Sequence, residues 1–209
     1  MIQAFAYIIS LLIPYQKDRI LPAWSLAKEK QIPVHDCLSV NDAESLQFIT
    51  DLQPDIIISA YFNQIIKPPL IALPKLGILN VHPGWLPIYR GAMAYFWVLK
   101  NGHEFAGVSV HWIDEGIDTG ALVARRSFVI KQGMTQQRVL SITAIIGARL
   151  LRRVGRKLLS DQEPETISVD QEQISYYPLP GSDDFDDYFK TKRFFRIRDL
   201  VSTILRIKY

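Results

Sequence analysis

The sequence predicts an α/β fold in which an open, mostly parallel sheet carries helices on both faces. Short apolar runs alternate with helical patterns along the chain, which is typical of βα units. The segment Asp55–Ala60 is dominated by an apolar run, as in a parallel strand covered on both faces. From Thr135 onward, apolar residues recur every three or four positions, which gives a long helix one apolar face. The 209 residues, 48% of them hydrophobic, are enough for one sizeable folded domain.

The predicted elements follow one another in order along the chain. Strands are predicted over Ala4–Ser10, Asp55–Ala60, Gly77–Val81, Gly107–Trp112 and Ala121–Ile130, with a brief extended piece at Ile32–Val34. Helices are predicted over Ala23–Lys30, from a cap at Asn41 to Leu52, over Ala92–Asn101, and from Thr135 past Val154. Asn41 and Glu44 have the spacing of a capping box, and Pro54 blocks continuation of the helix that they open.

The N-terminal apolar stretch Phe5–Pro14 has two interpretations, a targeting or membrane segment and a buried strand. No basic residue precedes it, and it is far shorter than the ~20 residues of a spanning helix. Its β-branched and aromatic residues favour a core strand. We therefore expect no membrane partner.

Charge and cysteine content point to a cytoplasmic protein without an obligatory polyanionic partner. The formal net charge is only +3, and the single cysteine, Cys37, excludes an internal disulfide and a cysteine-based zinc site. Several arginines lie in the C-terminal half of the long helix. They either contact RNA or stabilise the helix by placing positive charge at the negative end of its dipole. We favour the dipole interpretation, and nucleic acid is not the expected partner.

After Ser160 the periodic pattern ends, so we divide the chain into a catalytic domain, residues 1–159, and a tail, residues 160–209. An acidic run, Asp183–Asp187, precedes a basic and aromatic one, Lys190–Arg196. Basic residues between aromatics can bind nucleic acid. Large rings gain most by burial, however, and this favours a tail that packs back on the domain. The rings expected to do so are Tyr177, Phe185, Phe189 and Phe195.

Two segments carry residues suited to chemistry. Asn80 and His82 stand two positions apart at the carboxyl end of a predicted buried strand, so they share one side of it. Open α/β sheets place their ligand crevice at this end. An amide beside an imidazole suits stabilisation of an oxyanion and transfer of a proton. The second segment, Asp114–Gly120, is a glycine-bearing acidic loop between two strands, and an ordinary turn remains an alternative for it.

These segments resemble the catalytic domain of folate-dependent formyltransferases, which have a Rossmann-like fold. The matching motifs are Asn80-x-His82-Pro83, Leu86-Pro87-x-Tyr89-Arg90-Gly91 and Asp114-Glu115-Gly116-Ile117-Asp118-Thr119-Gly120. The resemblance implies that Asn80, His82 and Asp118 form a catalytic trio. It also implies 10-formyltetrahydrofolate as the formyl-donor cosubstrate and an amine as the acceptor.

The resemblance also implies where the folate binds. Gln64, Ile65 and Ile66 match the loop whose backbone meets the pterin, and Asp114 and Gly116 belong to the loop that covers its other side. The ordinary alternative for the first loop is a strand-to-helix turn with apolar packing. We expect His111 to be a strand residue, His35 and His103 to be loop histidines, and no metal site, since nothing has zinc-ligand spacing.

The chain departs from the family pattern at both ends. The family's usual first strand and helix have no counterpart before Ala4–Ser10, so we expect an N-terminally shortened sheet. Only about fifty residues follow Leu159, which favours a small amine, such as an amino sugar on a nucleotide, over tRNA. A methionyl-tRNA formyltransferase-like enzyme, a formyltetrahydrofolate hydrolase and an inactive folate-binding remnant stay as alternatives, and a homodimer stays open.

Overall fold

The computed structural model describes residues 23–170, 173–197 and 199 of the chain. The predicted strand Ala4–Ser10 and the expected N-terminal shortening lie outside these residues. The described residues form two compact units. One is Ser39–Phe194, and the other contains residues 23–38 together with 195–197 and 199.

Helices and strands alternate through most of the described chain, as the sequence predicts. The helices are α1 (Ala23–Glu29), α2 (Ala43–Leu52), α3 (Pro68–Ile71), α4 (Ala94–Lys100), α5 (Gln136–Leu158) and α6 (Ser182–Thr191). The strands are β1 (Ile57–Ala60), β2 (Ile78–His82), β3 (Arg90–Gly91), β4 (Phe105–Trp112), β5 (Leu122–Val129) and β6 (Tyr176–Tyr177). The prediction of an α/β protein is confirmed. None of the described helices combines the length and the apolar character needed to cross a membrane.

The main sheet has the strand order β1-β2-β4-β5. Strands β1 and β2 run parallel, whereas β4 is antiparallel to both β2 and β5. In the described sheet, the expectation of mostly parallel strands therefore holds for one pair of the three. For β4 and β5 the reason is the short loop between them, because parallel neighbours need a crossover of a dozen or more residues.

Strand β1 differs from the prediction in its burial. A strand covered on both faces was expected, but Ile58 is 42% exposed and Ser59 is the only buried residue of the four. The physical reason is position, because β1 forms an edge of the described sheet and packs less than β2 and β4. The apolar run predicted the strand correctly but did not reveal which strand lies at the edge.

The long helix α5 packs on one face of the sheet. An apolar cluster joins them and includes Leu79, Val81, Val108, Val110, Ile146 and Leu150. Gly147 allows this close approach, because a Cβ atom there would lie 2.5 Å from Val81 Cγ1. Side chains alternate along a strand, so Asn80 and His82 project from the opposite face. Coverage of both faces by helices stays a prediction.

The cap of α2 is one residue later than predicted. Asp42 Oδ1, and not Asn41, accepts the first-turn hydrogen bond, from the Ser45 N–H at 2.8 Å. The predicted capping box of Asn41 and Glu44 is therefore wrong. Asn and Asp are equally good N-caps, so the sequence alone does not reveal which of Asn41 and Asp42 caps the helix. Asn41 instead donates to Ile65 O at 2.8 Å and accepts from Lys67 N–H at 2.9 Å, which holds the loop after β1.

Tail residues pack against α4 within the larger unit. Phe96 stacks on Tyr188, with ring centroids 4.7 Å apart, and meets Phe185 edge-on at 5.2 Å. Tyr177 stacks on Tyr89 at 4.9 Å, and β6 pairs with β3 beside it. Phe189 contacts other tail rings and is 42% exposed. The sequence did not predict α6, β3 or β6, and the domain division at residue 159 stays a prediction.

Candidate active site

The structure brings Asn80, His82 and Asp118 together. The two β2 residues project from one face, and Asp118 reaches them from the loop between β4 and β5. His82 Nδ1 lies 3.4 Å from Asp118 Oδ2, and Asn80 Nδ2 lies 3.4 Å from Asp118 Oδ1. The side chains of His82 and Asp118 are only 5% and 11% exposed. Two segments separated in sequence thus form one polar cluster that is largely shielded from water.

Asp118 is held in an unusual backbone conformation. Its φ of 53° lies in the left-handed region, which few residues other than glycine adopt. The backbone N–H of Gly91 donates to Oδ2 at 2.8 Å. Burial alone would raise the pKa of Asp118, but the nearby rings of His111 and His82 and the hydrogen bond from the Gly91 N–H together lower it. The carboxylate is therefore charged at neutral pH.

His82 is fully oriented by the backbone around it. Its Nε2–H donates to the carbonyl of Tyr89 at 2.7 Å, so Nδ1 is the nitrogen that faces Asp118. Burial lowers the pKa of His82, and this outweighs the opposing effects of Asp118 and of the Tyr89 carbonyl. A side chain at Gly84 would not fit here, since its Cβ would lie 2.5 Å from His82 Nε2. The ring is therefore neutral at pH 7, with Nδ1 able to accept a proton.

His111 joins the cluster, although the sequence suggested only a strand residue. The register of β2 and β4 places it opposite Asn80. Its Nδ1–H donates to Trp112 O at 2.8 Å, so in a ring with one proton Nε2 is an acceptor. Asn80 therefore presents its NH₂ group to Nε2, at 3.1 Å. Strand alternation alone could not have revealed this contact, because it depends on the pairing register.

The loop after β2 is fastened to β4 and β5 on the same face. Ser109 Oγ donates to Gly84 O at 2.8 Å and accepts from Leu86 N–H at 3.0 Å. Arg125 donates to Leu86 O at 2.7 Å, and its guanidinium lies 4.2 Å from the centre of the Trp85 ring. These contacts fix the segment that begins with His82 and continues to Tyr89.

The burial of His82 makes folding stability depend on pH. Because the folded-state pKa is below the ordinary 6.5, the unfolded chain binds this proton more readily. The free energy of unfolding should therefore decrease as the pH falls below 6.5, by at most about 1.4 kcal/mol per pH unit. Asp118, with its lowered pKa, adds a loss in the same direction at still lower pH.

Urea unfolding between pH 7.5 and 5 measures this dependence. The variant His82→Gln lacks the titrating group, so its stability should fall less steeply over that range than that of the wild type. Equal slopes for the two proteins, or a wild-type stability that rises as the pH falls, would contradict a buried neutral His82.

The first predicted folate segment follows β1 at the edge of the sheet next to His82. Ala60 pairs with Val81 in the register, and the chain then continues through Gln64, Ile65 and Ile66 to α3. Gln64 Oε1 accepts from Val40 N–H at 2.9 Å, and Ile65 is 64% exposed. The loop is thus held by the turn that precedes α2, while folate binding by these three residues stays a prediction.

The second predicted folate segment forms a tight turn before Asp118. Asp114 Oδ1 accepts from the Gly116 N–H at 3.1 Å and from the Thr119 hydroxyl at 2.5 Å. Asp114 therefore has a structural part in shaping this loop, and folate contact by Asp114 and Gly116 stays a prediction. Among the described residues no group of three or more His, Cys, Asp and Glu side chains could hold a metal ion.

A comparison with known families decides the classification. The family model described as "Formyl transferase" matches residues 16–154. The chain belongs to the formyl transferase family. Methionyl-tRNA formyltransferase of Clostridioides difficile is 34% identical over 158 residues, which cover 76% of this chain and 51% of that protein. The corresponding protein of Pelotomaculum thermopropionicum is 31% identical over 85% of this chain and 56% of its own length. The chain thus spans about half the length of these formyl transferase relatives.

Solved formyl transferase structures share the fold. The formyltransferase PseJ from Anoxybacillus kamchatkensis aligns with a TM-score of 0.63 at 19% identity and covers 89% of this chain and 96% of its own. The N-formyltransferase from Helicobacter canadensis aligns with a TM-score of 0.62 at 20% identity and covers 85% of this chain and 67% of its own. The formyltransferase fold expected from the sequence motifs is confirmed.

Proposed function

We propose that this chain transfers the formyl group of 10-formyltetrahydrofolate to an amine of a small molecule in the cytoplasm. The observation that carries the proposal is the buried cluster in which Asp118 contacts both Asn80 and His82. Membership of the formyl transferase family supports the reaction class. Formyl-folate as the donor is supported by related structures that hold 5-N-formyl-THF or tetrahydrofolate.

In this proposal His82 moves the proton. The amine nitrogen attacks the formyl carbon, a new C–N bond forms, and the carbonyl oxygen becomes an oxyanion. The nitrogen must lose a proton, and Nδ1 of the neutral His82 can accept it while Asp118, 3.4 Å away, stabilises the resulting cation. Collapse of the intermediate breaks the bond between the formyl carbon and N10 of the folate. The proton held by His82 then passes to N10, so the reaction balances.

Asn80 stabilises the oxyanion. One hydrogen of its NH₂ group is directed to His111 Nε2 at 3.1 Å. The other is directed to Asp118 Oδ1, which lies 3.4 Å from Nδ2, beyond the usual nitrogen-to-oxygen range for an N–H···O bond. That second hydrogen is only weakly held, and a small rotation directs it to the developing negative charge. His111 is then a positioning residue that keeps the amide in place.

An amino sugar on a nucleotide is the acceptor that we propose. The alignment with this chain covers nearly the full length of the PseJ chain. The PseJ structure contains UDP-4,6-dideoxy-4-formamido-L-AltNAc. The Helicobacter canadensis structure contains dTDP-3-aminofucose. Both structures share the fold of this chain and hold a sugar linked to a nucleotide. This combination supports an amino sugar nucleotide as the acceptor.

The second candidate is transfer to methionyl-tRNA. It is favoured by sequence, since the Clostridioides difficile relative at 34% identity is a methionyl-tRNA formyltransferase. Assays of the full chain with 10-formyltetrahydrofolate and either dTDP-3-aminofucose or methionyl-tRNA separate the two. Turnover with the sugar nucleotide alone supports the proposal, and turnover with the tRNA alone replaces it. Release of formate without any amine indicates a hydrolase, and no turnover at all indicates an inactive folate-binding protein.

A further inference from the structure

A cavity of about 300 Å³ opens directly beside the catalytic cluster. Three segments line it: the loop that contains Leu86 and Arg90, the stretch from Asp118 to Leu122, and residues 166–169. The Ile167 N–H donates to Leu122 O at 2.7 Å, which fixes the third segment against β5. The volume is at the lower end of the range of about 300–1,000 Å³ for small-molecule sites. The residues predicted to bind folate, namely Gln64, Ile65, Ile66, Asp114 and Gly116, do not line it, so it is available to the acceptor.

Arg90 lines this cavity, and its side chain has no partner among the residues that the structure describes. Its Nε atom is buried and lacks a hydrogen-bond partner within residues 23–170 and 173–197, and no carboxylate of that part of the chain pairs with its guanidinium. Asp118, the one acidic residue of the described lining, accepts from the Gly91 N–H through Oδ2, and its Oδ1 lies 3.4 Å from both Asn80 Nδ2 and His111 Nε2. A buried donor without a partner destabilises the folded chain, because it has lost its hydrogen bonds to water. A ligand that accepts from Arg90 would remove that cost.

The backbone of Arg90 is held by strand pairing, which suits a binding residue. Arg90 pairs with Tyr176 between β3 and β6, and its N–H donates to Ser175 O at 2.9 Å. The rest of the lining combines apolar side chains with the hydroxyl-bearing residues Thr166 and Ser168. One arginine with nearby hydroxyls matches a phosphate oxygen, since a guanidinium donates two parallel hydrogen bonds to such a group.

We propose that Arg90 binds a phosphate group of the acceptor in the cavity beside Asp118. The proposal rests on the proposed function in one respect only, namely that the phosphate belongs to the acceptor. Arg90 is a binding residue and takes no part in the chemical step. It should therefore contribute to the affinity for the acceptor and leave the affinity for the folate unchanged.

Steady-state kinetics of the full chain with dTDP-3-aminofucose test the proposal. Losing a charged hydrogen bond costs about 1.5–3 kcal/mol, so Arg90→Gln should raise the KM for the acceptor roughly 10- to 150-fold. Both kcat and the Kd for folinic acid should stay within about twofold of wild type, as expected for an interaction equal in ground and transition states. Arg90→Lys keeps the charge, so its KM for the acceptor should lie between those of the wild type and Arg90→Gln. Arg126→Gln, an exposed arginine of β5, is the matched control.

A second measurement separates this proposal from the proposed function. Sodium phosphate should raise the thermal unfolding midpoint of the wild type above its value in sodium chloride of equal ionic strength, and Arg90→Gln should abolish the difference. That result supports an oxyanion site even if no amine is formylated. An acceptor KM that Arg90→Gln leaves unchanged, an equal loss of folinic acid affinity, or an unfolding midpoint insensitive to phosphate in wild type would each overturn the proposal.

Discussion

Replacing His82 with alanine should lower the rate of formyl transfer by about 10²–10⁴-fold, the usual contribution of a positioned acid–base group. The ring is buried, its Nε2–H is used by the Tyr89 carbonyl, and Nδ1 is the nitrogen that can exchange a proton beside Asp118. Among the described residues, no other base contacts both Asp118 and the Tyr89 carbonyl. Single-turnover assays with saturating donor measure the chemical step and exclude effects of product release.

The matched control for His82 is His103→Ala. His103 is an exposed histidine whose ring bonds the Tyr89 hydroxyl at 3.0 Å and lies outside the catalytic cluster. Its replacement should leave the single-turnover rate near that of the wild type. Equal losses in the two variants would show that histidine replacement acts through the fold around Tyr89. A His82→Ala enzyme of normal rate and normal stability would remove His82 from the mechanism.

Replacing Asn80 with alanine should lower kcat by about 10²–10³-fold, which is typical for the loss of one oxyanion donor. The effect should fall on kcat with little change in the KM of the amine, because the charge that Asn80 stabilises exists only in the transition state. Asn80→Asp keeps the shape but replaces a donor by an acceptor, so it should be at least as severe.

Gln47→Ala is the control for Asn80, since Gln47 is an exposed amide on α2 that bonds only Asp51 among the contacts described for it. The Gln47→Ala variant should have the same kcat and the same KM for the amine as the wild type. If Asn80→Ala raised KM strongly and left kcat intact, Asn80 would bind the ground state, and the oxyanion role would be wrong.

The sequence predicted β1, β2, β4, β5 and α4 to within about two residues. The spacing of Asn80 and His82 placed both on one side of β2, and the glycine-bearing loop placed Asp118 after β4. These features are local, since strand alternation and turn chemistry depend on neighbouring residues. They were therefore readable from sequence.

Features that depend on distant pairing were not readable. His111 joins the cluster only because the register of β2 and β4 sets it opposite Asn80. The cavity at Arg90 depends on residues 166–169, which approach β5 from far along the chain. An apolar run also reveals neither the direction of a strand nor its place in the sheet, so the position of β1 at an edge of the described sheet was not predicted.

The destination of the formyl carbon tests the central claim most directly. A donor labelled with carbon-13 at the formyl group, incubated with the full chain and dTDP-3-aminofucose, can be followed by NMR. We expect the label to leave the folate and appear as an amide of the sugar amine, only when the amine is present and only when His82 is intact. A label that appears as free formate regardless of the amine, or that stays on the folate with the sugar and with methionyl-tRNA alike, would contradict formyl transfer by this cluster.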